Sequence, residues 1–147
     1  MQVGTMSGIF QRETLEETLD ASLEHNIHHL QFNWASAHPS GPLPEVIDKI
    51  AEYAGTEFKK RKMFVAAVAG NANMVDIEPE KRQKAIDKLL MIIPACAKIG
   101  TRVIATCTGS RNPESMWRDH PDNQSDETWK TLRSTLERIL PAAEAAG

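Results

Sequence analysis

Four short runs rich in strand-forming residues alternate with four segments of helical period, and no other feature of this sequence narrows its fold so far. The runs cover residues 2–7, 27–34, 63–70 and 101–108. Their starts recur about every 25 to 38 residues, the length of one strand, one helix and their connections. Successive strands joined by a helix must be parallel, because only a crossover returns the chain to the same end of the sheet. The helical segments carry apolar stripes at i, i+3 and i+4 spacing. The first is Leu15, Leu19 and Leu23, and the second is Val46, Ile47, Ile50, Tyr53 and Ala54. The third is Ile86, Leu89, Leu90 and Ile93, and the fourth is Trp129, Leu132, Leu136, Ile139 and Leu140. All are expected in the core. Asn26 and Gly100 follow the first and third helical segments, and Gly147 follows the fourth, where a left-handed residue can stop a helix. Nothing marks a linker, so residues 1–147 read as a single domain of four βα units.

The second run decides which parallel sheet to expect. Leu30, Phe32 and Trp34 alternate with His29, Gln31 and Asn33, so one face is apolar and the other polar. A doubly wound sheet, covered by helices on both sides, favours apolar residues on both faces. A barrel strand instead turns its apolar face to the surrounding helices and can turn polar groups toward the mouth. The pattern therefore predicts an α/β fold: half of a (β/α)8 TIM barrel, strands one to four, stopping where a fifth strand would begin.

Composition excludes several function classes. Of the 147 residues, 41% are hydrophobic and 25% charged, enough for an ordinary core. The 17 basic and 20 acidic residues give a net charge of -3, with no block suited to nucleic acid. The single basic cluster, Lys59 to Lys62, falls where the second helix should end and suits the helix dipole there. No basic-then-apolar leader opens the sequence, and no run of about 18 apolar residues occurs, so no membrane is expected and a cytoplasmic location is. Cys96 and Cys107 form no CxxC pair and read as reduced packing residues.

Barrel sites gather on the loops that follow the strands, and those loops are polar here. Asn33, Trp34 and His38 follow the second run, and Asn71, Asn73 and Met74 follow the third. After the fourth comes the segment 106–121, too long for a plain turn and of the length that functional loops have. Its Arg111 can clamp a phosphate or carboxylate with a planar fork, and Trp117 can offer a stacking face to a sugar ring. The competing readings are structural: Arg111 paired with Glu114 or Asp119, Trp117 anchoring the loop against the rim, and the asparagines acting as turn residues. The candidate substrate-binding set is Arg111, Trp117, Asn33, Asn71, Asn73 and His120.

No catalytic residue and no metal ligand set is assigned. His28 and His29 are adjacent on a strand and must point to opposite faces, while His25 reads as a helix cap or solvent group. His38 and His120 are lone candidates without a ligand array. The sequence contains no HExxH, GxSxG, P-loop or GxGxxG.

The run Thr101-Arg102-Val103-Ile104-Ala105-Thr106-Cys107-Thr108-Gly109-Ser110-Arg111-Asn112-Pro113, then Met116-Trp117-Arg118 and His120-Pro121-Asp122-Asn123, closely resembles bacterial sugar phosphate isomerase/epimerase proteins with the xylose isomerase-like, endonuclease IV-like barrel. Gly70-Asn71-Ala72-Asn73-Met74 resembles the loop after strand three in that family, and the βα rhythm matches throughout. The resemblance implies an enzyme that interconverts a sugar or sugar phosphate with a divalent metal (Mn, Mg, Co or Zn) held mostly on strands five to eight. It also implies paired glutamates that move a proton beside the sugar carbonyl. Those strands are not in this sequence, so no cofactor is expected for this chain alone, which is expected to be inactive by itself. The expected partners are a sugar or sugar phosphate and either a second copy completing the barrel or a carboxy-terminal half. Two alternatives stay open: an endonuclease IV-like metal-dependent hydrolase or lyase on the same barrel, and a non-catalytic half-barrel binding module.

Overall fold

The computed structural model describes residues 2–147. Four parallel strands lie in the order β1-β2-β3-β4: β1 Gly4–Met6, β2 His29–Phe32, β3 Phe64–Ala69 and β4 Ile104–Ala105. Each is followed by its helix: α1 Leu15–Glu24, α2 Ile47–Lys60, α3 Pro79–Ile99 and α4 Asp126–Ala146. Strand order equal to chain order means that the sheet winds one way only. A doubly wound sheet reverses its order at a switch point, and none occurs here.

The chain divides into two compact units. Among the described residues, one comprises residues 2–69 and 94–105, the other residues 70–93 and 106–147. α3 contributes to both, and Pro94, which removes a backbone donor from the helix ladder, stands at the division.

The first unit holds the whole sheet. The register sets Gly4, His29 and Phe64 side by side and Thr5, Leu30 and Val65 side by side, so each row projects to one face. Leu30, Phe32 and Val68 are fully buried, as are Leu15, Leu19, Ala54 and Phe58 of α1 and α2 in the same unit, and the rings of Phe32 and Phe58 meet edge-on with centroids 6.1 Å apart. His29, Gln31 and Asn33 lie on the other, less buried face, and the alternation read from the sequence persists through Trp34. The ring of His29 stacks on Phe64 with centroids 4.8 Å apart. α1 starts with a capping box, in which Thr14 and Glu17 satisfy each other's backbone donors, and Asn26 (φ +57°) ends it in left-handed backbone. α2 crosses the carboxyl end of α3 at Gly55, where a Cβ would come 2.1 Å from the Lys98 carbonyl oxygen. Only glycine permits that approach, and Lys98 then reaches Asp48 at 3.0 Å and Glu52 at 3.1 Å.

The second unit packs α4 through Thr128, Leu132, Thr135 and Ile139. Thr135 donates to the Met74 carbonyl at 3.0 Å. This corrects the stripe read from the sequence, because Trp129 and Leu140 face outward, 62% and 49% exposed. Two threonines satisfied by hydrogen bonds occupy the buried face, and a hydrophobic count passes over them. The strands are also shorter than the runs that announced them. β4 shrinks most, because only Ile104 and Ala105 pair with Val68 and Ala69.

Candidate functional site

The loop from Thr106 to His120 has no regular structure and is organised by its own polar side chains. Gly109 takes φ +85°, and a Cβ there would lie 2.0 Å from Asn73 Oδ1. That absence of a side chain lets Asn73 close on the next residue, accepting from the Ser110 N–H at 3.0 Å and donating to its carbonyl at 2.9 Å. The remaining Asn73 N–H goes to Asp76 Oδ2 at 3.0 Å. Ser110 is buried, and its hydroxyl donates to the Arg118 carbonyl at 2.6 Å while accepting from the Asn112 N–H at 3.1 Å. Asn123 Oδ1 receives the Arg111 N–H at 2.8 Å, and Asn112 Oδ1 receives those of Glu114 and Ser115. Two further bonds tie the loop back to the segment after β3: Thr106 Oγ1 donates to the Gly70 carbonyl at 3.0 Å, and the Met74 N–H to the Thr108 carbonyl at 3.1 Å.

This framework leaves two large side chains unengaged. Arg118, not Arg111, pairs with Glu114. Asp119 accepts from the Asn123 amide at 3.3 Å. Arg111 has no ion pair among the described residues, and its Nε is buried without a hydrogen-bond partner. The pairing of Arg111 with Glu114 or Asp119 that the sequence allows is therefore not formed. Trp117 is 68% exposed.

The other sequence-selected residues are placed as follows. Asn73 spends both amide donors on loop closure. Asn71 is exposed, and its carbonyl accepts from Lys88 Nζ at 3.0 Å. His120 caps a short 3-10 turn at Pro121–Gln124, its Nδ1 accepting from the Asp122 N–H at 3.3 Å. Asn33, in the other unit, caps the 3-10 turn Trp34–Ser36 by accepting from the Ala35 N–H, and its own N–H goes to Ser7 Oγ at 2.8 Å. Sequence reasoning missed Ser110, Asn123 and Asp76 as organisers of the loop. The available signal was the Asn and Ser content beside Pro113 and Pro121, which marks side chains that fold back on nearby backbone.

A cleft of about 190 Å³ opens beside this loop, lined by Thr108, Gly109, Asn123, Trp129 and Leu132 among others. Ligand pockets run from roughly 300 Å³ upward, so it takes a group of a few atoms and not a whole sugar. Among the described residues no three His, Cys, Asp or Glu side chains converge on a point where they could hold a metal ion. The residues present therefore do not fit a metal centre, and no chemical step is assigned through one. Among the described residues no helix is long and apolar enough to cross a membrane.

The comparisons with known proteins agree with this architecture. The family model for the xylose isomerase-like TIM barrel matches residues 19–147, and the chain belongs to that family. Three solved structures share the fold at low identity. The 3-keto-D-glucoside 4-epimerase YcjR from E. coli, in its apo form, superposes with a TM-score of 0.73 at 18% identity, over 100% of this chain and 53% of that one. A protein provisionally described as a xylose isomerase, from Rhodospirillum rubrum, gives 0.72 at 15% identity, over 100% and 51%. Protein SMc04130 from Sinorhizobium meliloti gives 0.68 at 16% identity, over 97% and 47%. This chain thus spans about half the length of each, and its four βα units are half of a (β/α)8 barrel. No curated protein matches the sequence at a significant level.

Proposed function

We propose that this chain forms the strand-one to strand-four side of a sugar or sugar-phosphate isomerase or epimerase, supplying substrate contacts and not the proton-transfer groups. The observation that carries the reading is the loop after β4 of a xylose isomerase-like barrel, rigidly hydrogen-bonded yet presenting an unpaired Arg111 and an exposed Trp117. In such barrels the loops after the strands face the ligand. Arg111 and Trp117 contact the substrate, Asn71 offers a further exposed amide, and Asn33, Asn73 and His120 hold the loops in place. The likeness to a sugar epimerase structure supports the class of substrate. The acid and base come from the other side of the barrel, contributed by a second copy or by a carboxy-terminal half, and the assembly works in the cytoplasm.

The test is proton exchange. The chain assembled with whatever completes its barrel is incubated with Mn²⁺ and a panel of aldoses, ketoses and their phosphates in D₂O, and NMR follows deuterium entering beside the carbonyl. At least one sugar should exchange or isomerise. A folded, metal-loaded assembly that exchanges none of them would remove the isomerase reading and leave a binding module.

A further inference from the structure

We infer that a second copy of this chain completes the barrel by seating its α1 on the outer side of α4, a contact formed twice about a two-fold axis. The inference rests on the reading of the chain as one side of a barrel and names the occupant of the other side. In α1, Leu15, Thr18, Leu19 and Ser22 are buried. The residues just after Leu15 and Leu19, Glu16 and Asp20, face α2, where Glu16 accepts from Tyr53 and Asp20 from Arg61. That side of the helix therefore meets the helix that comes next. In α4 the buried residues are Thr128, Leu132, Thr135 and Ile139, and those just after them are Trp129, Arg133, Leu136 and Leu140. Among the described residues no helix follows α4 to take that side. The stripe borders instead an open groove of about 670 Å³, shared with Lys130, in which Trp129 and Leu140 are exposed.

A face that fits this groove lies on α1 of the same sequence. The side of α1 turned from α2 carries Glu17, Ala21 and Glu24, which line a cleft of about 340 Å³ together with Arg12 and Glu13. Arg12 donates to the Phe10 carbonyl at 3.1 Å, and among the described residues Glu13, Glu17 and Glu24 have no cation paired with them. On α4, Lys130 has no ion pair among the described residues, and Arg133 reaches only Glu137, at 3.6 Å. The middle of the α4 stripe is thus basic and the α1 cleft acidic, so the two faces attract each other while like faces repel. Neighbouring helices in a barrel ring run parallel, since each follows a parallel strand. With the caps Ser125 and Thr14 side by side, Lys130 and Arg133 come between the levels of Glu17 and Glu24, and Trp129 lies over Ala21, whose small side chain leaves room for it. Each copy has one face of each kind, so two contacts close the pair and leave neither face open.

The experiment starts from the unaltered chain at verified intact mass. Light scattering should report twice 16.3 kDa, and salt should loosen the pair. Equal amounts of ¹⁴N and ¹⁵N chain, left to exchange subunits, are treated with a carbodiimide, which joins a lysine amine to a carboxylate it touches. Mass spectrometry should find Lys130 joined to Glu17 or Glu24 in peptide pairs of mixed isotope. Charge reversal then tests the match. Lys130→Glu with Arg133→Glu, or Glu17→Lys with Glu24→Lys, should each weaken self-association at least about tenfold. Mixing the two variants should restore the dimer, because both contacts regain opposite charges. A monomer, a dimer without the cross-link, or folded variants that associate no better mixed than apart would overturn the inference. Because the cross-link is read on the unaltered chain, a poorly folded variant does not blunt the test. A monomer that instead takes a carboxy-terminal half into the α4 groove also overturns it, yet leaves the isomerase reading standing, since the exchange assay decides that reading separately.

Discussion

The side-chain amide of Asn73 holds the backbone of Ser110 from both sides, accepting its N–H at 3.0 Å and donating to its carbonyl at 2.9 Å. It does so only because Gly109 has no side chain, since a Cβ there would stand 2.0 Å from Asn73 Oδ1. Asn73→Ala should cost about 1–3 kcal/mol by leaving partly buried partners unsatisfied. Gly109→Ala should cost at least ~1–3 kcal/mol through its left-handed backbone alone, and more through the collision. The two changes share a contact, so the double variant should be less unstable than the sum. Urea unfolding of the four proteins gives the coupling, and strict additivity would show that the clamp is not one unit.

The tryptophans separate structure from surface. Trp34 is buried, and its Nε1–H donates to the Ala69 carbonyl at 3.1 Å, so Trp34→Ala should destabilise by about 3–5 kcal/mol. Trp117→Ala should change stability by no more than roughly 0.5 kcal/mol while weakening sugar binding. Iodide quenching of single-tryptophan variants checks the placement: Trp117 and Trp129 quench freely, Trp34 does not, and ligand should protect Trp117 alone.

Acid should unfold the α1–α2 pairing in a defined direction. The hydrogen bond from Tyr53 holds the Glu16 carboxyl below its usual range, and the hydrogen bond from Arg61 does the same for Asp20. A depressed folded pKa adds stability that is present above the unfolded value, near about 4, and is lost as pH falls through the folded value. Asp20 is exposed and Glu16 only half-buried, so solvent screens the effect. Urea midpoints between about pH 6 and pH 3 should fall less steeply in Tyr53→Phe and Asp20→Asn than in the parent, and equal slopes would remove these pairs from the acid limb.

The sheet has two unpaired edges, at β1 and β4, and leaves Met6, Phe64 and Val103 about half exposed or more. Exposed edges and apolar faces invite cover. Self-association through this sheet should bury on the order of 2,000 Å², and light scattering should report at least twice the 16.3 kDa chain mass. A stable, soluble monomer of verified intact mass would show that the sheet tolerates water without a second copy.

The sequence by itself determined the order of elements and the direction of the strands. Alternating apolar periods of 2 and 3.6 at βαβ spacing point to parallel βα units, and the two-faced pattern of residues 29–34 distinguished a barrel wall from a doubly wound sheet. Local stereochemistry was equally readable: Asn26 and Gly100 stop their helices in left-handed backbone. Only the tertiary structure decided which arginine of the long loop is free. Arg111 and Arg118 are chemically identical in sequence, and Glu114 lies within reach of either by spacing; folding of the loop over Ser110 and Asn123 gives Glu114 to Arg118. It likewise decided that α4 packs on Thr128 and Thr135 and leaves Trp129 outside, because a hydroxyl is core-compatible only when a particular carbonyl, here that of Asp122 or Met74, arrives to accept its proton.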